Sequence, residues 1–325
     1  MSETLRLDAT NSEQVEQAAQ LLLQGKLVAV PTETVYGLAA DASQPAAVQQ
    51  IFVAKGRPAD HPLIVHLADA KAMQDWAKNI PAVAWQLAEA FWPGPLTLLV
   101  AKADHVSPVV TGGLDSIGLR VPAHPVLLKL LQQHQLAVAA PSANRYKKLS
   151  PTSAEQVLHG LAGRIEAVLD GGDCQFGLES TIVSVLGDTV EILRAGPISQ
   201  ADLEEVLGCE VRHPQQHQVK VAGNVKAHYQ PNTPLQCLPY AELVQYLQAD
   251  TTAKIAVLHR QALPPALQHF SHHQLPADAH AFGQQLYRSL FAADQTGAEL
   301  ILLEMPPHSA EWAAVQERLA RAVHQ

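Results

Sequence analysis

Hydrophobic positions along the first two hundred residues follow alternating helical and extended patterns. In residues 11–25, Val15, Ala18, Leu22 and their apolar neighbours have the spacing of one helix face, and Gly25 follows them. The run KLVAV comes next and has the composition of a buried strand. Further helices are predicted in PAAVQQIFVAK, KAMQDWAK, AVAWQLAEAF and TSAEQVLHGL, and further strands in PLIVHL, LTLLVAK, SIGLRV, LAVAA, IEAVLD and the hairpin STIVSVLGDTVEILR.

This alternation predicts an α/β fold with an extensive, twisted sheet over residues 1–209. Residues 210–237 are rich in proline and polar side chains and have no sustained period, so they are predicted to be a linker. Residues 238–325 return to the alternation, with KIAVLHR and ELILLEM as strands, and are predicted to form a small α/β domain. Thr152 and Glu155 are predicted to form a capping box at the start of one helix.

Composition narrows the classes of protein that fit. Hydrophobic residues make up 47% of the chain and charged residues 16%, which indicates a sizeable core rather than disorder. The net charge of -9 argues against a broad nucleic-acid-binding surface, although a local basic pocket is compatible with it.

Metal and membrane signals are weak. The three cysteines form no CxxC pair, and the histidines near the C-terminus lack the spacing of a zinc site, so no protein-bound metal is predicted. The N-terminus has no secretory pattern, and no apolar run approaches the length needed to span a membrane. A cytoplasmic location is the expectation.

Two cations lie on a stiff turn in the stretch KGRPADHPLIVH, residues 55–66. Lys55 and Arg57 flank a glycine, and Pro58 follows at once. A rigid pair of cations suits phosphate, which binds an arginine fork and a lysine point charge. The alternative is a pair of solvated charges at a helix C-terminus, where cations are favoured in any case. If they bind phosphate, both are expected to face a water-filled cavity.

Other polar residues follow or interrupt predicted strands, where ligands of open α/β sheets bind. Thr34 lies in PTETVYGLAADA, Arg120 in SIGLRVP, Ser142 in PSAN, Ser180 in GLESTIV and Arg194 in LRAG. Each also has an ordinary interpretation: turn chemistry for the hydroxyls and an internal salt bridge for Arg120. Together they favour a substrate with several negative charges. Neither a P-loop nor a dinucleotide fingerprint is present.

These motifs resemble, in order and spacing, the YrdC-like family of L-threonylcarbamoyladenylate synthases. The resemblance is strong over residues 12–200 and looser over residues 220–325, where the chain is similar to the long form of the family. It implies a YrdC-like twisted α/β sheet with a concave basic cavity and a Rossmann-like C-terminal domain. It also implies that the linker covers the active site.

The resemblance further implies a reaction in which L-threonine, bicarbonate or CO2, and ATP give L-threonylcarbamoyl-AMP and pyrophosphate. Mg2+ would accompany ATP. Downstream enzymes would then transfer the threonylcarbamoyl group to tRNA, so that tRNA is only an indirect partner. Lys55 and Arg57 would be catalytic. The implied threonine-binding residues are Thr34, His66, Arg120, Ala140 and Ser180. The implied ATP-binding residues are Lys55, Arg57, His61, Ser116, Ser142, Asn144, Ser150, Arg194 and Tyr229.

The chain departs from the family pattern at several positions. His61 stands where the family usually has asparagine, and YKKL, residues 146–149, replaces a turn that contains serine and glycine. In the linker, Ala227 replaces an arginine and Gln230 an alanine, while His228 and Tyr229 remain.

Two rival functions remain open at the level of sequence. A non-catalytic RNA-binding module could use a basic cavity of this kind, although the net charge of -9 weighs against it. The carbamoyl-transfer domain of hydrogenase maturation shares the fold, but its acylphosphatase and zinc-finger segments have no counterpart in this sequence.

Overall fold

The computed structural model describes residues 3–214, 219, 221–223, 227–249 and 253–323. Contacts between Cα atoms divide the chain into two compact units. The large unit comprises 1–146, 151–175 and 179–224, and the small unit comprises 147–150, 176–178 and 225–325.

The large unit is built on one sheet of ten strands in the order β1-β8-β2-β3-β7-β4-β6-β5-β9-β10. The strands are β1 (Leu5–Asp8), β2 (Val28–Val30), β3 (Gly37–Asp41), β4 (Ile64–His66), β5 (Leu96–Ala101), β6 (Ser116–Arg120), β7 (Val138–Ala139), β8 (Ala167–Asp170), β9 (Thr181–Ser184) and β10 (Glu191–Arg194). Parallel pairs such as β4–β6 and β5–β9 alternate with antiparallel pairs such as β5–β6 and β9–β10. The predicted α/β class with a large twisted sheet is confirmed.

Helices cover both faces of this sheet. They are α1 (Ser12–Leu23), α2 (Pro45–Lys55), α3 (Met73–Trp76), α4 (Ala82–Phe91), α5 (Pro108–Thr111), α6 (Pro125–His134), α7 (Ala154–Leu161) and α8 (Gln200–Leu207). Strand β2 shows how the core is divided: Val28 and Val30 pack with α1 and α6 on one face, and Ala29 packs with α2 and α4 on the other. This alternation follows from the two-residue period of a strand.

Local capping differs from the sequence prediction at one helix. The predicted box of Thr152 and Glu155 is wrong by one residue, because Ser153 is the N-cap of α7 and accepts a hydrogen bond from the backbone of Gln156. The Gln156 side chain accepts from the backbone N–H of Thr152 at 2.7 Å. Gln156 therefore bonds the residue before the N-cap rather than the N-cap itself, so Ser153 caps the helix without the reciprocal bond of a capping box.

The small unit contains a four-stranded parallel sheet in the order β11-β14-β12-β13. Its elements are β11 (Leu235–Leu238), α9 (Tyr240–Ala249), β12 (Ile255–His259), β13 (Ser271–Gln274), α10 (Ala279–Asp294), β14 (Leu300–Glu304) and α11 (Ala313–Ala322), with short 3₁₀ turns at Pro265–Leu267 and Ala310–Trp312. Helix α9 packs against β14, and α10 packs against β12 and β14. The parallel order confirms a small α/β domain in this part of the chain.

In the described part of the chain, three or more histidine, cysteine, aspartate or glutamate side chains do not come together in a group that could hold a metal ion. None of the described helices has both the length and the apolar character needed to cross a bilayer.

Candidate active site

Arg120 and His66 end two neighbouring parallel strands of the large unit. Strands β4 and β6 pair in a register that places His66 opposite Arg120. Both residues are only 3% exposed. Because parallel strands end at the same edge of a sheet, the pairing brings two of the predicted threonine-binding residues side by side.

A buried glutamate completes the surroundings of Arg120. Arg120 Nη2 donates to Glu33 Oε1 at 2.5 Å. Arg120 Nη1 donates to Thr34 Oγ1 at 3.1 Å, and Arg120 Nε donates to the carbonyl of Gly94 at 3.1 Å. The internal salt bridge that the sequence left open is therefore present. Glu33 was not among the predicted site residues, although a buried strand arginine requires an anionic partner and Glu33 is the only carboxylate in PTET.

The hydroxyl of Thr34 has a defined direction. Thr32 Oγ1 donates to the carbonyl of Val35 at 2.6 Å, so its 2.8 Å contact with Thr34 Oγ1 uses the proton of Thr34. Thr34 also accepts from Arg120. Its proton is thus committed within the loop, and its remaining lone pair can accept a hydrogen bond from a substrate amine.

His66 is neutral at physiological pH. Burial and the neighbouring Arg120 guanidinium lower the pKa of His66 to about 3. The ring nitrogen Nδ1 is buried and makes no hydrogen bond. A neutral imidazole beside a cation adds no charge repulsion and offers an acceptor to a polar ligand.

Lys55 occupies a different environment from the one predicted. It is the last residue of α2, and Gly56 after it takes the left-handed conformation with φ of 65° that terminates the helix. Lys55 Nζ donates to the carbonyls of Ser142 and Asn144 at 2.5 and 2.6 Å and lies 3.3 Å from Asn144 Oδ1. The expectation of a water-filled environment is wrong for Lys55, which is 2% exposed and holds the PSAN loop.

The protonation of Lys55 reflects two opposing influences. Burial, together with the charges of Arg57 and Arg145, lowers the pKa of Lys55 well below its ordinary value. The three oxygen acceptors favour the ammonium, because a neutral amine has only two N–H groups to donate. The geometry is that of an ammonium with all three donors engaged.

Arg57 and His61 lie on the more open side of the same turn. The Arg57 side chain is partly exposed, and its Nη2 donates to the carbonyl of Pro62 at 3.0 Å. The His61 ring meets the Tyr146 ring edge-on with 5.7 Å between centroids. Of the two predicted cations, Arg57 is thus the more accessible to a phosphate.

The PSAN loop is tied to the rest of the site through short hydrogen bonds. Ser142 Oγ donates to Asn144 Oδ1 at 2.5 Å, and the backbone N–H of Ala143 donates to the carbonyl of Tyr36 at 2.8 Å. The backbone N–H of Ala140 donates to the carbonyl of Ile64 at 3.0 Å. Hydrogen bonds therefore connect the loop to the PTETVYG segment, to the KGRP turn and to strand β4.

A second assembly is centred on Ser180. Arg194 donates to the Ser180 carbonyl through Nε at 3.0 Å and through Nη2 at 2.8 Å, and Nη2 also lies 3.0 Å from Ser180 Oγ. Thr97 Oγ1 is 2.7 Å from Ser180 Oγ. A Cβ on Gly196 would lie 2.3 Å from the backbone nitrogen of Thr181, so the LRAG motif requires glycine there. Arg194, predicted to bind ATP, thus directly holds Ser180, predicted to bind threonine.

Ser116 begins the strand that Arg120 ends. The four-residue separation places both side chains on the same face of β6, about 13 Å apart along the strand. Ser116 is 8% exposed. The separation leaves room for two substrate groups along one strand.

The remaining two predicted site residues belong to the small unit. Ser150 is 1% exposed and closes the segment 147–150. Tyr229 is also 1% exposed, and its ring stacks on that of Tyr287 at 5.7 Å with the Arg318 guanidinium 5.5 Å from its centroid. The backbone N–H of Gln230 donates to the carbonyl of Lys147 at 2.9 Å, which joins the two segments that carry Ser150 and Tyr229.

Comparisons with known proteins place the chain in a family. The family model Sua5_yciO_yrdC, described as "Telomere recombination", matches residues 20–196, and the model described as "Threonylcarbamoyl-AMP synthase, C-terminal domain" matches residues 198–323. The threonylcarbamoyl-AMP synthase of Bacillus subtilis is 37% identical over 97% of this chain and 94% of its own length. The synthase of Pyrococcus abyssi is 37% identical over 94% of this chain and 92% of its own length.

A solved structure agrees with these matches. The crystal structure of P. abyssi Sua5 complexed with L-threonine has a TM-score of 0.89 and 35% identity, covering 99% of this chain and 97% of that one. Both family models and the similarity to two relatives over more than nine tenths of each chain point the same way. The chain belongs to the Sua5/YrdC family, in its form with the additional C-terminal domain.

Proposed function

We propose that this chain is a threonylcarbamoyl-AMP synthase, which converts L-threonine, bicarbonate and ATP into L-threonylcarbamoyl-AMP and pyrophosphate. The observation that carries the proposal is the pairing of Arg120 with His66 at one strand edge, beside Thr34, in a chain of this family. The names of the relatives favour a synthase over a non-catalytic RNA-binding module. The product supplies the threonylcarbamoyl group for modification of tRNA next to the anticodon.

The threonine end of the site is proposed to lie at Arg120. A guanidinium has five N–H groups, and the three described contacts of Arg120 leave one on each terminal nitrogen for a carboxylate. Thr34 can accept from the amine, and neutral His66 adds a second acceptor. Ala140 and Ser180 are proposed to border the amino acid.

The nucleotide end is proposed to involve the KGRP turn and the residues tied to it. Arg57 would contact the phosphates directly, whereas Lys55 would act by holding the loop that presents Ser142 and Asn144. The other proposed nucleotide contacts are those of His61, Ser116, Ser150, Arg194 and Tyr229. Since no P-loop is present, these separate side chains would replace a single phosphate-binding loop.

The proposed chemistry needs orientation more than acid–base catalysis. The threonine amine captures bicarbonate or CO2 to form a carbamate, and water is lost when bicarbonate is the source. A carbamate oxygen attacks the α-phosphorus of ATP, and the bond to the β-phosphate bridging oxygen breaks to release pyrophosphate. Negative charge grows on the leaving oxygens, so nearby cations lower the barrier. In this reaction the enzyme is a nucleotidyltransferase.

Mg2+ is proposed to enter as part of the nucleotide substrate. The described site residues offer cations, hydroxyls and amides, a donor set that suits ATP phosphates with their own Mg2+ and its waters. Bicarbonate or CO2 and ATP are the remaining proposed small-molecule partners. Downstream threonylcarbamoyl-transfer enzymes would collect the product, so tRNA would be only an indirect partner.

Pyrophosphate release is expected to require ATP, L-threonine and bicarbonate together, because the attacking carbamate does not exist until threonine is carboxylated. The measurement is pyrophosphate formation with each substrate omitted in turn, combined with chromatography of the nucleotide product. D-Threonine in place of the L-isomer is the matched control. Release at an equal rate without threonine would replace the synthase with a general ATP pyrophosphatase.

Tyr229→Ala is expected to weaken ATP binding about tenfold and to increase the fraction of intermediate lost as AMP. The proposed reason is that the linker segment holding Tyr229 shields a labile mixed anhydride from water. Tyr229→Phe keeps the ring that stacks on Tyr287 and is the matched control, with values expected within about twofold of the unmodified protein. An unchanged ATP affinity and an unchanged ratio of threonylcarbamoyl-AMP to AMP in Tyr229→Ala would make the linker a passive tether.

A further inference from the structure

Glu33 is a carboxylate buried within the loop that precedes β3. It is 3% exposed, and both of its oxygens are engaged. Oε1 accepts from Arg120 Nη2 at 2.5 Å, and Oε2 accepts from the backbone N–H of Ala123 at 3.0 Å. A carboxylate is tolerated away from water only when such partners replace its hydration. Burying Glu33 therefore costs desolvation free energy, which suggests that the carboxylate serves the function of the site.

The arginine that Glu33 contacts is fixed from three sides. Gly94 accepts from Nε, Thr34 accepts from Nη1 and Glu33 accepts from Nη2. These acceptors come from two separate loops, one before β5 and one before β3. The guanidinium plane is therefore set before any substrate arrives, which removes the entropic cost of ordering a long side chain during binding.

A base role for Glu33 fits the geometry poorly. One oxygen accepts from the Arg120 guanidinium and the other from a backbone amide, so both oxygens are already occupied by protein donors. The influence of Glu33 on a substrate must pass through Arg120, whose charge it balances and whose orientation it sets.

We propose that Glu33 is a positioning residue for threonine recognition, which aims the remaining N–H groups of Arg120 at the amino-acid carboxylate. This inference rests on the proposed function. Only a carboxylate can serve both neighbours of Glu33, because Arg120 and Ala123 are both donors. A glutamine would satisfy one of them and turn its own N–H groups towards the other.

The test compares Glu33→Gln with the unmodified protein in the pyrophosphate assay. The expected result is a KM for threonine raised about tenfold or more, with the KM for ATP within about twofold of its starting value. Glu304→Gln is the matched control, because Glu304 is likewise buried, at 2% exposed, and accepts from the backbone N–H groups of Arg260 and Gln261 at 2.6 and 2.8 Å. The control is expected to lower thermal stability and leave the KM for threonine unchanged.

A double-mutant cycle separates positioning from a general loss of structure. If Glu33 acts through Arg120, adding Glu33→Gln to a protein that already carries Arg120→Gln leaves the KM for threonine nearly unchanged. Should Glu33→Gln not yield folded protein, Glu33→Asp takes its place, since it keeps the charge but is too short to keep both contacts.

The outcomes distinguish this inference from the proposed function. If the unmodified protein shows no threonine-dependent release of pyrophosphate, the proposed synthase function itself is wrong. An active unmodified protein with an unchanged KM for threonine in Glu33→Gln overturns only the positioning role. An equal rise in the KM for threonine and for ATP, or independent effects in the cycle, also overturns it.

Discussion

Lys55→Ala is expected to reduce both turnover and stability, whereas Arg57→Ala is expected to reduce turnover alone. Lys55 donates to two buried carbonyls in the PSAN loop and lies near Asn144 Oδ1. Removing the ammonium takes a buried donor away from the PSAN loop, and each lost buried hydrogen bond of this kind costs about 1–3 kcal/mol. Turnover should fall at least about tenfold, because the loop that presents Ser142 loses its support.

Arg57 makes a weaker structural contribution. It is partly exposed, and its described contact within the turn is to the carbonyl of Pro62. Arg57→Ala should therefore lower turnover at least about tenfold, on the scale of one lost charge-assisted phosphate contact, with a nearly unchanged unfolding temperature. The measurements are steady-state pyrophosphate release and thermal unfolding of each variant.

The exposed Lys71 provides the control for these two variants. Lys71→Ala removes the same charge from a solvated surface and is expected to leave both quantities unchanged. Full activity in Arg57→Ala would return that residue to the interpretation of a solvated charge. A stable Lys55→Ala would show that the loop keeps its conformation without the ammonium.

The sequence predicted which site residues lie at strand ends better than it predicted the contacts between their side chains. The order of motifs placed Arg120, His66 and Ser180 beside strands, and the sheet has them there. What the pattern could not supply was the partner of each charge. The burial of Lys55 and the pairing of Glu33 with Arg120 depend on loops 87 residues or more apart in sequence, which no local period encodes.

The missed elements have different physical reasons. Strand β13, Ser271–Gln274, is polar and exposed along its length, and only its backbone pairing with β12 makes it a strand. Strand β3 lies in the second half of PTETVYGLAADA, where small residues obscure the alternation. Helix α6, Pro125–His134, has an amphipathic pattern with Pro at its first position, so the signal for this helix is present in the sequence.

Arg194→Ala is expected to weaken threonine binding as well as ATP binding, although the resemblance assigns Arg194 to the nucleotide alone. Its guanidinium holds Ser180 through the carbonyl and the hydroxyl, and Nη1 donates to the carbonyl of Ala222 at 3.0 Å. Without these contacts Ser180, which is proposed to border threonine, loses the donors that fix its backbone and side chain. Both KM values should rise at least about tenfold, and the unfolding temperature should fall because buried acceptors lose their donor.

Thr97→Val separates the two effects of Arg194. It removes the hydroxyl that lies 2.7 Å from Ser180 Oγ and leaves every contact of the guanidinium in place. The KM for threonine should then rise only a few-fold and the KM for ATP should stay unchanged, since the backbone of Ser180 is still held by Arg194. A rise confined to the KM for ATP in Arg194→Ala would limit that residue to the nucleotide and show that β9, the Thr97 hydroxyl and the close approach of Gly196 suffice to position Ser180.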